Sequence, residues 1–333
     1  MEQQNIYNYN PFAVSPKKNE KKQIKKTALF VGIPVILVFA LTFKWASIYY
    51  SVTSSLGIEI KKAYEIICEP AVLCIIQILF SLIGFLLFST VSAKIAGERI
   101  SDLVPFERPK RGLTLPLFLF GIGFCTFSNI SVSFAGDFFE SFGVNYSVDY
   151  GENPNGVTGF LLTLFSIAFI PALAEEFSFR GVFFGLLKKY GDIFALITTS
   201  VMFGVMHGNF EQMPFAILVG FVLGMIRLKT GSIWGCILLH FYNNFSSVVF
   251  DYLFDGVSGE YQSAFFIVFY SLCLLVGLIG ILIFSSREKE NFNENGVKTV
   301  SSEKEKLIWF LTSPVIIIFL VIHIGESFKY FIG

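Results

Sequence analysis

Three short patterns place ionisable and amide side chains one helical turn apart in a chain otherwise poor in them. Glu175 and Glu176 stand side by side with Arg180 four residues after the second; Phe203 precedes His207 by four; His240 precedes Asn244 by four. A carboxylate withdrawn from water is the better base, which suits Glu175 to drawing a proton from water near neutral pH. An imidazole at His207 can share and relay that proton. His240 and the Asn244 amide lie on one helix face and can present two donors to a single oxygen, an arrangement that acts most strongly in a dry site. The chemistry these residues fit is attack of an activated water on an amide carbonyl.

Helical phase divides the labour between the two glutamates. Glu176 and Arg180 are i and i+4, share a face and can pair. Glu175 is turned ~100° from Glu176 and about 140° from Arg180 at 3.6 residues per turn. One carboxylate is then neutralised structurally and the other is free to react.

The elements that must position these groups are membrane helices. Hydrophobic residues make up 54% of the 333, charged residues 15%, and Phe alone occurs 41 times, whereas a soluble fold carries about a quarter of its residues charged. A span takes about 20 mostly apolar residues. Nine segments qualify: 27–43, 71–91, 113–134, 157–187, 193–209, 213–228, 232–253, 261–284 and 307–324. The expected fold is all-α, a polytopic transmembrane helix bundle of about nine spans. The fourth segment is long for a straight span, and Pro171 offers a kink or break within it. Lys and Arg support this count: the stretches assigned inside hold 6, 5, 3, 2 and 5 of them, 21 in all, and those outside hold Lys44, Lys61, Lys62 and Lys329. By the positive-inside rule the N-terminus is cytoplasmic and the C-terminus exterior.

The expected organisation is a polar basic cytoplasmic tail over 1–26, N-terminal transmembrane helices over 27–134, a catalytic transmembrane core over 157–253, and C-terminal helices over 254–333 with a cytoplasmic linker at 285–306. The exterior loop 135–156 has no basic residue and carries Asp137, Glu140, Asp149 and Glu152. Counted from the cytoplasmic helix ends at 1.5 Å per residue, Glu175 lies roughly 20 Å deep, His207 roughly 22 Å, His240 roughly 13 Å and Asn244 roughly 20 Å. All four therefore fall within about 10 Å of one depth, near the middle of a ~30 Å core.

E-E-x-x-x-R, then F-x-x-x-H, then H-x-x-x-N, each on its own transmembrane helix, resembles the CPBP family of CAAX prenyl proteases and bacteriocin-processing enzymes, which are glutamic-type intramembrane endopeptidases. Glu175, Glu176 and Arg180 match the first motif, Phe203 and His207 the second, His240 and Asn244 the third. The resemblance spans residues 175–244 and does not reach 1–110 or the last helix. It implies a catalytic glutamate at Glu175, a water-activating histidine at His207, an oxyanion-stabilising pair at His240 and Asn244, and supporting roles for Glu176, Arg180 and Phe203. The activity it implies is endopeptidase cleavage of membrane-associated substrates, either CAAX-type proteins, leader peptides or bacteriocin precursors.

Glu175, His207 and His240 also have the ligand composition of hydrolytic zinc sites, although H-E-x-x-H is absent. A metal-free glutamate mechanism is favoured because Glu175, His207, His240 and Asn244 fill every role, and no other cofactor is called for. Bland readings exist for each group taken singly. Glu176 and Arg180 make a structural ion pair, His207 could sit at an outer interface beside Gly208 and Asn209, and His240 and Asn244 could bond between helices. Among the remaining polar groups, His323 is expected at the exterior interface and Gln77 and Asn129 at helix–helix contacts. Gly220 and Gly224 read as close helix packing, and Lys44 can snorkel. The five cysteines (Cys68, Cys74, Cys125, Cys236, Cys273) form no C-x-x-C pair and no disulfide framework.

The expected location is the membrane, multi-pass, with a bacterial plasma membrane as host. The expected partners are the lipid bilayer and a peptide or protein substrate in or at the membrane. A net charge of zero argues against nucleic acid. The alternative function is a non-catalytic membrane scaffold, or an immunity or regulatory protein, that keeps the fold. A transporter would show repeated halves, and none is found.

Overall fold

The computed structural model describes residues 15–109, 112–143, 148, 152–288 and 299–331, which are helical and contain no strand. Residues 1–14, Asp149 and 289–298 of the linker lie outside the described residues. Helix α1 runs Pro16–Ser55; Ser15 Oγ accepts from the Lys18 amide at 3.3 Å and Pro16 takes the first position, where its missing N–H is no loss. The basic run from Lys17 to Lys26 is thus helical and continuous with the first apolar stretch. Then follow α2 (Ile60–Ile67), α3 (Pro70–Ala96), the short α4 (Ile100–Leu103), α5 (Thr114–Glu140), α6 (Gly156–Lys188) and α7 (Asp192–Val205). The chain continues through α8 (Gln212–Thr230), α9 (Trp234–Leu253), α10 (Gly259–Arg287), α11 (Glu303–Leu311) and α12 (Pro314–Ser327).

Six helices are long and apolar enough to cross a membrane: the Pro16–Thr42 part of α1, then α3, α5, α6, α8 and α10; α11 and α12 make a seventh if their 71° bend lies within one span. Nine spans are not reached by this measure. Helix α7, at 14 residues, is about 21 Å long against a ~30 Å core. Helix α9 is long enough, but His240, Asn243, Asn244 and Asp251 make it too polar. The last expected span is interrupted at Ser313, whose extended backbone (φ −73°, ψ 134°) precedes Pro314.

Helix α6 carries the first motif and runs without a break for 33 residues. Around Pro171, the expected site of a kink or break, the helix is continuous, with wider π winding over Leu164–Phe169, just before the proline, and again over Phe177–Phe183, just after the glutamates. Helix α3 winds the same way over Ser81–Leu87, and Ser178 Oγ donates to the Phe85 carbonyl at 2.8 Å, joining the two irregular stretches. Such π turns free backbone carbonyls and occur often at functional sites.

The core runs through Phe179, Phe183, Phe184, Phe194 and Phe203, and α1 (Ala28, Val31) and α12 (Ile316, Phe319) pack into it. The parts of the chain outside the motifs therefore brace α6 and α7. His323, expected at the exterior interface, is buried within the protein (1% exposed) between the rings of Phe39 and Phe319, with Nδ1 bonded to the Phe319 carbonyl at 2.9 Å. On the other side α5 and α10 touch backbone to backbone: a Cβ on Gly280 would stand 2.4 Å from the Phe120 nitrogen, so only glycine permits the approach. The outer flanks of α3 and α10 expose Ile75, Leu79, Ile267, Leu272 and Leu275, an apolar surface that suits lipid.

Candidate active site

Glu175 and Glu176 divide as the helical phase requires. Glu176 is sealed from solvent and accepts from Arg180 Nη1 at 3.0 Å; the Glu175 side chain is 12% exposed and faces a cavity of about 1370 Å³. The guanidinium is fixed on further sides. Its Nη2 donates to the Gly220 carbonyl at 3.0 Å and its plane lies 4.2 Å from the Phe203 ring centroid. A Cβ on Gly220 would meet Arg180 Nη2 at 3.1 Å, and one on Gly224 would meet Leu196 at 2.4 Å. The glycine pair thus serves helix packing, as expected, and its first member also admits Arg180.

Glu176 has a second partner, 64 residues away in sequence. Its Oε1 lies 2.8 Å from His240 Nδ1. A carboxylate paired with arginine can only accept, so Nδ1 carries the proton and His240 turns Nε2 toward Glu175, whose Oε2 is 4.0 Å away. That distance exceeds a hydrogen bond and suits a small group held between the two. Arg180, Glu176, His240 and Glu175 form a connected line running from the sealed interior to the cavity wall.

His207 stands on the turn after α7, because the helix ends at Val205 and not at 209 as the sequence suggests. Its Nδ1 bonds the Phe203 carbonyl at 2.8 Å, and since a carbonyl can only accept, the neutral ring keeps Nε2 as its basic nitrogen. Phe203 sits under both histidines, its centroid 5.3 Å from that of His207 and 5.8 Å from that of His240. The turn is built by Asn209, whose Oδ1 accepts from the Gln212 amide at 2.7 Å and whose Nδ2 donates to the His207 carbonyl at 3.1 Å. Asn209 shapes the approach of His207.

Asn244 lines the same cavity, and one N–H of its amide is engaged. Proline at 171 has no N–H for the carbonyl four residues before it, and Asn244 Nδ2 donates to that carbonyl, Ile167 O, at 2.9 Å. Asn244 therefore anchors α9 to the irregular stretch of α6. Gln77 and Asn129, expected at helix–helix contacts, line the cavity as well.

Residues 157–246 match the family model of the type II CAAX prenyl endopeptidase, Rce1-like. This segment is similar to that family over 157–246. The match takes in all seven motif residues and supports the likeness to the CPBP/CAAX protease family. No curated protein and no solved structure matches the chain.

Within the Rce1-like segment the cavity brings together Glu175, Phe203, His207, His240 and Asn244, while Glu176 and Arg180 stand behind the wall. Two supporting features escaped the sequence reading: the Ile167 carbonyl freed by Pro171, and the Asn209 turn. Pro171 four residues after a carbonyl was the available signal for the first. As a metal site the arrangement fits poorly. Among the described residues no three His, Cys, Asp or Glu side chains converge as ligands would.

Proposed function

We propose that the protein is an intramembrane endopeptidase in which Glu175 is the general base. The observation that carries this reading is the line Arg180–Glu176–His240 ending 4.0 Å from Glu175 at the wall of a shared cavity. A water between Glu175 and His207 gives its proton to Glu175, and the hydroxide adds to the scissile carbonyl carbon. The carbonyl oxygen takes up the negative charge beside His240 Nε2, which in the protonated ring donates to it. Collapse of the tetrahedral species breaks the C–N bond, and the proton held by Glu175 passes to the leaving amine. His207 Nε2, on the same cavity, accepts from the water and orients it. Every step uses this chain's own side chains, and a glutamic-type reaction is the form proposed.

The substrate is a peptide or protein in or at the membrane, and the host is a bacterial plasma membrane. Comparing membrane peptidomes of cells carrying the wild-type chain and Glu175→Ala tests the proposal. Peptides that appear only with the wild type, at equal protein level, are expected. Identical peptidomes would remove the protease reading and leave the scaffold.

A further inference from the structure

The packed helices have two distinct ends, and the cavity belongs to one of them. At the first end Lys17 pairs with Glu305, Lys189 with Glu98 at 3.3 Å, and Lys229 with Glu288 at 3.0 Å; Lys306 Nζ reaches the Tyr190 carbonyl at 2.6 Å and Arg287 reaches that of Gly112 at 2.8 Å. These bonds join the start of α1, the α3–α5 connection, the α6–α7 turn, the end of α8, the end of α10 and the start of α11 on one face. At the opposite end Tyr252 donates to the Pro154 carbonyl at 2.6 Å, Glu211 accepts from the Val148 amide at 2.8 Å, and the Phe210 ring packs on Phe328.

Most of the described lysines and arginines lie at the first end; the other has Lys61, Lys62 and Lys329, with Lys44 in α1 on the way to it. Cytoplasmic loops carry the excess of Lys and Arg, so the first end is cytoplasmic. The lining of the catalytic cavity reaches the other end, at Pro70, Asp137, Glu152, Pro154, Glu211 and Asp251. No described lining residue comes from the Lys/Arg-rich connections, and none is a lysine or arginine.

From this placement we infer that the cavity opens on the extracytoplasmic face, so that the polypeptide it cleaves is presented from outside: an exported or membrane-tethered precursor, not a lipid-modified tail held in the cytoplasm. The inference rests on the protease reading for its chemistry and on the bundle alone for its direction. The carboxylates of the mouth match that direction, since they face away from the anionic inner leaflet and favour a strand carrying Lys or Arg.

Thiol accessibility tests it. Cys68 is an exposed thiol beside the mouth end, and Cys74, Cys125, Cys236 and Cys273 are buried. A membrane-impermeant maleimide added to spheroplasts expressing the full chain is expected to label Cys68 without permeabilisation. In a Cys68→Ser background, Glu152→Cys at the mouth should react from outside, and Lys304→Cys only in inverted vesicles. Labelling of Glu152→Cys only in inverted vesicles, or equal labelling of both sites from both sides, would overturn the inference. Wild-type Cys68 keeps the experiment informative if a variant fails to accumulate. Labelling needs no catalysis. An inward cavity with Glu175-dependent cleavage would sink the direction alone, and an outward cavity with an unchanged peptidome would sink the protease reading alone.

Discussion

Glu175 and Glu176 are adjacent, and replacing each with glutamine should have opposite signatures in stability. Glu175→Gln keeps size and polarity at a partly exposed cavity wall but cannot take a proton. Turnover per folded molecule should fall by about 10²–10⁴-fold, the range for a lost general base, with stability unchanged. Glu176→Gln removes the one negative charge against Arg180, and both side chains are 0% exposed. Stranding a buried charge costs about 3–5 kcal/mol, a drop of roughly a hundredfold to several thousandfold in the folded-to-unfolded ratio at 1.4 kcal/mol per tenfold. Phase alone suggests that Glu176→Gln leaves activity in the molecules that fold. The 2.8 Å contact between Glu176 and His240 Nδ1 changes that expectation: without the carboxylate His240 loses its orienting charge, so activity per folded molecule should fall as well. The assay is unfolding in a denaturing detergent titration, together with initial rates on the peptide identified by the peptidome comparison, normalised to folded protein. Glu175→Gln retaining more than about a tenth of wild-type turnover, or Glu176→Gln unfolding at the wild-type midpoint, would refute the reasoning.

Two further outcomes follow from the same geometry. Asn244→Ala leaves the Ile167 carbonyl without its partner and should cost about 0.5–1.5 kcal/mol; Pro171→Ala restores a backbone donor, so the loss should shrink in that background, and a double-mutant cycle of unfolding free energies reads the coupling. If Asn244→Ala leaves stability intact and lowers only turnover, the residue acts on the oxyanion and not as an anchor. Activity of the purified protein should survive exhaustive chelation; loss to chelator with recovery on added Zn²⁺ would move the reaction to a metal.

What the sequence determined by itself is local or compositional. Long apolar runs can be satisfied in lipid only by helices, so the all-helical membrane fold was legible from composition. The Glu176–Arg180 pair follows from i, i+4 spacing, and so does the bond from His207 to the Phe203 carbonyl, although the sequence reading did not draw it. The conjunction of three motifs was enough to assemble Glu175, His207 and His240 as candidates. Tertiary structure alone decided how those helices are rotated and where they stop. Glu176 reaches His240 across 64 residues, Asn244 gives one N–H to a carbonyl that Pro171 releases, His207 sits on a turn, and His323 is enclosed between rings. The span count changed for the same reason. Hydropathy measures the length of an apolar run, but the bend at Ser313 depends on backbone geometry, and helical periodicity within one segment carries no information about the rotation of its neighbours.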